Sequence, residues 1–266
     1  MSAPIALTIA GSDSSGGAGI EADLKTFSAL GVYGACVVTA LTAQNTKTVS
    51  GIHQVPADFI TAQMDAVFSD LDVGAVKIGM MGDAQAIAAI DAGLARHRAR
   101  NVVLDPVIVA SSGESLLQPG AIEGLRKLAR RARLLTPNLG EAVALLNLPL
   151  ARDEASMRAR AEKLLGLGSE AVLMKGGHLG GPESIDLLVS AAGCERFVAP
   201  RIASKNTHGT GCTLASAIAA GLAKGLPLHE AVREAKAYVT GAIAAADRLN
   251  VGSGNGPLHH FHKWWA

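Results

Sequence analysis

Residues 5–30 read IALTIAGSDSSGGAGIEADLKTFSAL, and this stretch decides the fold class. Residues 5–9 form a continuous apolar run typical of a buried strand, and residues 11–19 form a loop rich in glycine and serine. Apolar side chains then recur at helical spacing from Ile20 to Leu30. A buried strand that leads through a loop into a helix is the repeating unit of α/β proteins.

The same alternation continues along the chain. Further strands are predicted at residues 37–38, 52–55, 75–78, 101–105, 134–136 and 171–175, with a hairpin at 185–189 and 196–198. Helices are predicted at residues 20–30, 56–67, 84–98, 121–131, 138–146, 153–165, 211–224 and 228–249. Strands that are apolar throughout indicate a mainly parallel sheet with helices on both faces. Since no linker or repeat divides the chain, we expect one α/β domain over residues 1–266.

Composition excludes several classes of protein. The 266 residues are 49% hydrophobic and 18% charged, with a net charge of +1, so no basic field favours nucleic acid. Three widely spaced cysteines indicate neither a disulfide framework nor a zinc site. The N-terminus lacks a signal-peptide pattern, and the most apolar helical stretch, residues 212–223, is too short to span a bilayer. We therefore expect a cytoplasmic protein that binds neither nucleic acid nor membranes.

The most informative loop is NTHGTGCT at residues 206–213, which precedes an apolar helix. Gly209, Thr210 and Gly211 can direct backbone N–H groups at an anion, reinforced by the helix dipole. Cys212 falls at the helix start, a setting that lowers a thiol pKa. An ordinary glycine-rich turn before a core cysteine is the alternative, and the cysteine favours a phosphoryl-transfer site.

The first glycine-rich loop is not a nucleotide fingerprint. It lacks the Gly-Lys-Ser/Thr ending of a Walker A loop, and its glycines do not fit the dinucleotide spacing. Asp23, in the helix after it, either favours the helix dipole or faces a ligand. Gln44 follows an apolar run, and its amide can both donate to and accept from an aminopyrimidine; ordinary surface polarity is the alternative.

Charged residues follow three other strands, where ligands of parallel sheets bind. Asp105 ends one strand and Asn138-x-x-Glu141 opens a helix, so the two carboxylates could hold magnesium or simply satisfy local N–H groups. Lys175 ends another strand before Gly176-Gly177-His178 and can either reach phosphate or extend to solvent. For the tail histidines 259, 260 and 262 we expect no catalytic role.

Taken together, these segments resemble the hydroxymethylpyrimidine/phosphomethylpyrimidine kinases of the ribokinase superfamily. The resemblance is collinear over nearly the whole chain. It rests on residues 8–19, 40–46, 77–80, 105–107, 136–142, 175–178, 206–212 and 256–260.

The resemblance implies a ribokinase-like fold and transfer of phosphate from ATP to a hydroxymethylpyrimidine and then to its monophosphate. It implies that Gln44 recognises the pyrimidine, with Gly11, Asp23, Met80 and Val107 completing the pocket. Lys175 and Asn138 would serve the nucleotide and Glu141 and Asp105 the Mg²⁺, while Gly209, Thr210 and Gly211 would form an anion hole. It also implies a homodimer.

One position departs from most ribokinase relatives, which the resemblance implies have an aspartate base where this chain has Cys212, as do the pyrimidine kinases and some pyridoxal kinases. We expect Cys212 to accept the hydroxyl proton. Two alternatives stay open: a pyridoxal kinase of the same fold, and a non-catalytic pyrimidine-binding protein. The sequence leaves open the efficiency of the second phosphorylation and the nucleotide preference.

Overall fold

A single sheet carries the fold of this computed structural model, which describes residues 3–109, 113–118, 120–177 and 179–265. Its strands are β1 (Ile5–Gly11), β2 (Tyr33–Gln44), β3 (Val49–Gln54), β4 (Ala75–Ile78), β5 (Val102–Leu104), β6 (Leu134–Leu135), β7 (Ala171–Lys175), β8 (Glu183–Ser190) and β9 (Gly193–Pro200). The helices are α1 (Gly19–Ala29), α2 (Ala57–Asp70), α3 (Ala84–Arg96), α4 (Ile122–Leu128), α5 (Leu139–Leu146), α6 (Glu154–Leu165), α7 (Thr210–Ala223) and α8 (Leu228–Ala244).

The sheet order in the described ranges is β3-β2-β1-β4-β5-β6-β7-β8-β9. From β2 to β7 all neighbouring strands are parallel, and antiparallel strands flank this block, β3 on one side and β8–β9 on the other. The predicted mainly parallel α/β sheet is confirmed. Because the parallel strands run the same way, their carboxyl ends lie along one edge of the sheet.

Each face of the sheet is covered by its own core. On one face, α2 to α6 pack through buried side chains such as Met64, Ile90, Leu125 and Met157. On the other, α1, α7 and α8 pack through Phe27 and the small side chains of α7. Alanine and glycine in α7 let it lie close to its neighbours, and a Cβ on Gly221 would come within 2.9 Å of the Ala231 Cβ.

The element boundaries differ from the predictions mainly at their ends. The strand expected at 37–38 is the long β2, because its edges are only half-buried and therefore not fully apolar. The helix expected over 228–249 ends at Ala244 and continues as a short 3₁₀ turn at residues 246–248. The helix expected over 121–131 likewise ends at Leu128, where a 3₁₀ turn begins. Within the described ranges no helix is long and apolar enough to cross a membrane.

A fully buried ion pair links the sheet to the helix layer that contains α1 and α7. Lys77 on β4 lies 2.7 Å from Asp23 on α1, and both side chains are 0% exposed. Thr8 on β1 and Ser216 on α7 also donate to the Asp23 carboxylate, each at 2.6 Å. Burial works against the ammonium, but the charge and hydrogen bond of Asp23, together with the nearby Cys212 and Asp105, outweigh it and raise the pKa of Lys77 above its usual value.

We expect Lys77→Met to lower the free energy of unfolding by about 3–5 kcal/mol, because it leaves the Asp23 carboxylate buried without its counter-ion. Combining it with Asp23→Asn, which removes the stranded charge, should recover a large part of that loss. Urea unfolding gives the values, with Arg100→Met as the control, since its pair with Asp72 is largely exposed. A Lys77→Met protein as stable as this control would contradict the role given to the pair.

Candidate active site

The carboxyl edge of the parallel strands gathers most of the residues predicted from sequence. Gly11, Gln44, Asp105 and Lys175 lie at the ends of β1, β2, β5 and β7. The loop at 206–209 crosses this edge and leads into α7. The residues expected to bind a pyrimidine and the loop expected to bind phosphate therefore lie at the same edge of the sheet.

A direct contact joins the end of β2 to the loop before α7. The Gln44 Nε2 atom lies 3.3 Å from His208 Nε2, and His208 immediately precedes Gly209. A Cβ added to Gly209 would lie 1.9 Å from the Gly17 carbonyl oxygen, so the two glycine-rich loops meet backbone to backbone. Gly209 has φ of +83°, a conformation that favours glycine. A side chain at this position would separate the loops.

The first turn of α7 lies beside the charged side chains of Lys175 and Asp105. Its N–H groups at Gly211 and Cys212 have no intrahelical acceptor, as at every helix start. A Cβ on Gly211 would lie 3.4 Å from Lys175 Nζ and 3.6 Å from Asp105 Oδ2. Thr210 turns its hydroxyl back to the Thr207 carbonyl. The predicted anion-binding amides therefore lie directly beside the predicted phosphate-binding lysine.

Lys175 is held between two carboxylates. Its Nζ lies 2.7 Å from Asp105 Oδ1 and 3.7 Å from Glu141 Oε2. Burial opposes the ammonium, but the Asp105 and Glu141 charges outweigh it and raise the pKa of Lys175. Burial also raises the pKa of Glu141 to about 7, an effect that Lys175 opposes and Asp105 adds to. Asn138 and Glu141 form a reciprocal capping box that fixes the start of α5.

The donor set fits Mg²⁺ bound together with phosphates. Magnesium in phosphoryl-transfer sites takes one or two carboxylates and completes its shell with water and substrate phosphate. Asp105 and Glu141 supply such a pair at the sheet edge. Within the described residues no cluster of three or more metal-ligating side chains occurs, so the protein alone offers no complete cage.

The residues predicted to bind the substrate ring form a second group. A Cβ on Gly11 would lie 2.9 Å from Met80 Sδ, and the Gly11 N–H donates to the Met80 carbonyl at 3.1 Å. Val107 follows Asp105 in a tight turn, and its N–H donates to the Asp105 carbonyl at 2.8 Å. Gln44 is half-buried. Gly11, Met80 and Gln44 therefore lie next to the first glycine-rich loop, where the Gln44 N–H donates to Ser14 Oγ at 2.9 Å, whereas Val107 lies beside Asp105.

Asp23 does not line this pocket, contrary to prediction. The helix begins at Gly19, which puts Asp23 in its second turn. Its carboxylate is fully buried and already accepts from Lys77, Thr8 and Ser216. Asp23 therefore lies beneath the site, where it balances the charge of a buried lysine.

The prediction that the helix start lowers the Cys212 pKa is also wrong. Burial raises the pKa of Cys212 to about 11, and the carboxylates of Asp23 and Asp105 add to this rise. Lys77 and a backbone hydrogen bond from Gly19 act in the opposite direction but are weaker. The thiol is therefore protonated in the ligand-free protein.

Sequence reasoning missed the roles of Lys77, Asp13 and His208. Asp13 lies 2.8 Å from His208 Nε2 and caps the turn that follows it in the first loop. The signal was present as an aspartate within a glycine-rich loop, which is typical of a side chain that bonds to nearby backbone N–H groups. His178, which ends the predicted 175–178 motif, lies outside the described residues.

The C-terminal tail is docked against the site loops. The His208 N–H donates to the Gly256 carbonyl at 3.1 Å, and Tyr238 donates to the His260 carbonyl at 2.7 Å. His260 Nε2 lies 3.1 Å from Thr213 Oγ1, and burial lowers the pKa of His260 to about 4. The tail histidines therefore serve packing in this structure.

Comparison with known proteins gives consistent matches. A family model described as phosphomethylpyrimidine kinase matches residues 13–259. The hydroxymethylpyrimidine/phosphomethylpyrimidine kinase of Rhizobium meliloti is 59% identical, with 98% of each chain covered. A solved phosphomethylpyrimidine kinase from Clostridium difficile aligns with a TM-score of 0.80 at 44% identity, covering 90% of this chain and 99% of the other. The Staphylococcus aureus pyridoxal kinase in complex with ADP aligns with a TM-score of 0.91 at 33% identity, covering 99% and 96%.

We expect alkylation of Cys212 by iodoacetamide to be slow at pH 7.5 and to rise about tenfold per pH unit up to about pH 10, because only the thiolate reacts and its pKa is about 11. Peptide mass spectrometry of a time course measures the rate at each cysteine. The exposed Cys194 in the same digest checks that the reagent is active. A Cys212 rate that levels off below pH 8 would contradict the raised pKa.

Proposed function

Because the chain belongs to the phosphomethylpyrimidine kinase family, we propose that it phosphorylates 4-amino-5-hydroxymethyl-2-methylpyrimidine with ATP and then converts the monophosphate to the diphosphate. The chain is a kinase of ribokinase-like fold, and its family acts in thiamine biosynthesis. The observation that carries the proposal for this chain is the contact between Gln44 and His208, since it puts a pyrimidine-recognising amide beside the phosphate loop.

In this proposal the uncharged end of the cleft binds the substrate ring. The Gln44 amide pairs with the aminopyrimidine edge, which offers one donor and one acceptor. Met80 and Val107 contact the ring, and Gly11 allows the ring close to the backbone because a side chain there would meet Met80. The hydroxymethyl group then points towards the first turn of α7.

The charged end stabilises the migrating phosphoryl group. Lys175 and the N–H groups of the 209–212 loop face the same space and supply positive potential where negative charge spreads in the transition state. Asn138 fixes the helix that carries Glu141. When Mg²⁺ is bound, Glu141 and Asp105 would hold it, and it would neutralise phosphate charge.

We assign Cys212 as the acceptor of the hydroxyl proton. Its raised pKa limits this role, because a thiol of pKa about 11 is only about 10⁻⁴ ionised at neutral pH. Base assistance typically contributes about 10²–10⁴-fold, and efficiency falls when the pKa lies far from the working pH. We therefore expect the anion-binding loop to contribute more to the rate than the thiol does.

A second candidate activity is phosphorylation of pyridoxal. It is supported by the close structural match to a pyridoxal kinase at 33% identity. The non-catalytic alternative is not supported, because the family consists of kinases and this chain retains Glu141, Cys212 and the glycine-rich loop.

We also propose a cytoplasmic homodimer. The three cysteines are free, which suits a reducing compartment. Leu41 and Ile52, on the edge hairpin β2–β3, are 50% and 39% exposed and supply apolar surface for association. Light scattering after gel filtration measures the oligomeric state.

The decisive assay incubates purified protein with ATP and the aminopyrimidine and separates the mono- and diphosphate by chromatography. We expect both products when Mg²⁺ is added and neither in EDTA, since phosphoryl transfer needs the metal-bound nucleotide. Pyridoxal, tested in parallel, should give a lower kcat/KM. A higher value for pyridoxal would replace the substrate assignment with the second candidate.

We expect Cys212→Ala to lower kcat about 10²-fold with little change in either KM, since this is the low end of the range for base assistance. Steady-state kinetics on the first phosphorylation measures both constants. Cys194→Ala, which changes an exposed cysteine on β9, is the matched control. Full kcat in Cys212→Ala would remove the thiol as proton acceptor and leave the anion-binding loop and metal as the catalytic elements.

A further inference from the structure

Gln44 lies between a histidine–carboxylate pair and a threonine hydroxyl. His208 Nε2 is 2.8 Å from Asp13 Oδ2 and 3.3 Å from Gln44 Nε2, so one ring nitrogen contacts both groups. On its other side, the Gln44 Oε1 atom lies 3.2 Å from Thr42 Oγ1. Asp13 and His208 are only 2% and 7% exposed, so water does not replace these contacts.

The position of one proton follows from the partners of Asp13. Its carboxylate accepts from the Ser15 N–H and hydroxyl and from the N–H groups of Gly17 and Ala18. Burial acts to raise the pKa of Asp13, but the hydrogen bonds from His208 and Ser15 outweigh it and keep the pKa below its usual value. An ionised carboxylate is an acceptor only, so His208 Nε2 carries the proton between them.

The threonine on the other side offers an acceptor. A hydroxyl has one proton, and Thr42 Oγ1 donates it to the Ser12 carbonyl at 2.9 Å. The Gln44 amide is therefore flanked by an N–H donor from His208 and a lone pair from Thr42. When Gln44 Nε2 faces His208, two N–H donors oppose each other. When Gln44 Oε1 faces Thr42, two acceptor oxygens oppose each other.

A half-turn of the planar amide group removes both conflicts. Oε1 then shares the His208 Nε2–H with Asp13 as the weaker acceptor of a three-centre bond, and Nε2 donates to Thr42. Other atoms move little because the two ends of the amide have nearly the same size. The imidazole itself has little freedom to adapt instead. It packs against Gly17, where an added Cβ would come within 2.5 Å of His208 Cδ2.

We propose that Asp13 and His208 are positioning residues that lock the Gln44 amide with Oε1 towards His208 and Nε2 towards Thr42, and thereby determine substrate specificity. The inference rests on the proposed function, in which Gln44 binds the pyrimidine. In this orientation Gln44 keeps one Oε1 lone pair and one Nε2–H for the substrate, and neither can exchange places with the other. A 4-aminopyrimidine offers an amino donor next to the ring acceptor N3, whereas the 4-oxo analogue has the reverse order.

The test compares two substrates that differ only in this order: 4-amino-5-hydroxymethyl-2-methylpyrimidine and its 4-oxo analogue. We expect the unmodified enzyme to prefer the amino compound by about 10⁴-fold in kcat/KM, because the analogue opposes like groups in a buried site. In His208→Leu the amide is free to turn, so this preference should fall about tenfold or more, mainly through KM. His208→Gln, which retains an N–H donor, should restore most of the preference.

Thr42→Val removes the other contact with little change in shape and should lower the preference in the same way. His97→Leu is the matched control, since His97 pairs with Asp65 at 2.6 Å on the far helices and should leave the preference unchanged. The inference is wrong if His208→Leu and Thr42→Val retain the full preference for the amino compound. It is also wrong if both variants only lower kcat, and by the same factor for the two compounds.

The protonation of His208 provides a readout that does not depend on turnover. In ¹⁵N-detected NMR of the ligand-free enzyme we expect Nε2 to carry a proton at neutral pH and to lose its hydrogen bond to residue 13 in Asp13→Ala, which removes the acceptor. An Nε2 without a proton overturns the inference, whatever the substrate is. A protein with protonated Nε2 that does not phosphorylate the aminopyrimidine would instead refute the proposed function and leave the lock supported.

Discussion

The close approach of the Gly17 and Gly209 backbones is the constraint on which the site depends. One glycine belongs to the loop after β1 and the other to the loop before α7, so the contact joins segments almost two hundred residues apart in the chain. It brings the Gln44 amide next to the first turn of α7, and it leaves no room for a side chain at position 209. In the function proposed above, substrate recognition by Gln44 and phosphate stabilisation by the α7 loop are therefore geometrically coupled.

Buried charges of alternating sign surround this contact. Asp23 and Lys77 lie beneath Cys212, while Asp105, Lys175 and Glu141 lie beside Gly211. Each charge has an opposite neighbour, which offsets the desolvation cost of placing it in the interior. Burial is the main cause of the raised pKa of the Cys212 thiol; Lys77 opposes the rise, and Asp23 and Asp105 add to it. The electrostatic potential at the site is therefore set largely by charges buried in and beside the sheet rather than by surface charges.

Most of the fold was predictable from sequence because parallel strands buried on both faces must be apolar throughout, as β4 and β7 are. The positions of Gln44, Asp105, Glu141 and Lys175 followed from the rule that loops at the carboxyl ends of such strands meet. What could not be predicted depends on long-range contacts. The partner of Lys77 comes from a helix 54 residues earlier, and Asp13 meets His208 across 195 residues. Contacts across such long sequence separations produce no periodic pattern in the sequence, so they could not be predicted from it.

The helix-start argument for Cys212 failed for a related reason. A helix dipole is a local property that sequence reveals, whereas burial and the carboxylates of Asp23 and Asp105 are tertiary properties that outweigh it. Asp23 was misjudged in the same way, since its position after a glycine-rich loop indicated a ligand while the fold turned it inward.

The docked tail has a consequence for truncation. The His208 N–H donates to the Gly256 carbonyl, Tyr238 donates to the His260 carbonyl, and the Trp264 indole N–H donates to the Ala29 carbonyl, so residues 256–264 support the loop that leads into α7. Because this segment contributes no strand to the sheet, its removal would leave the strand pairs intact and would loosen that loop.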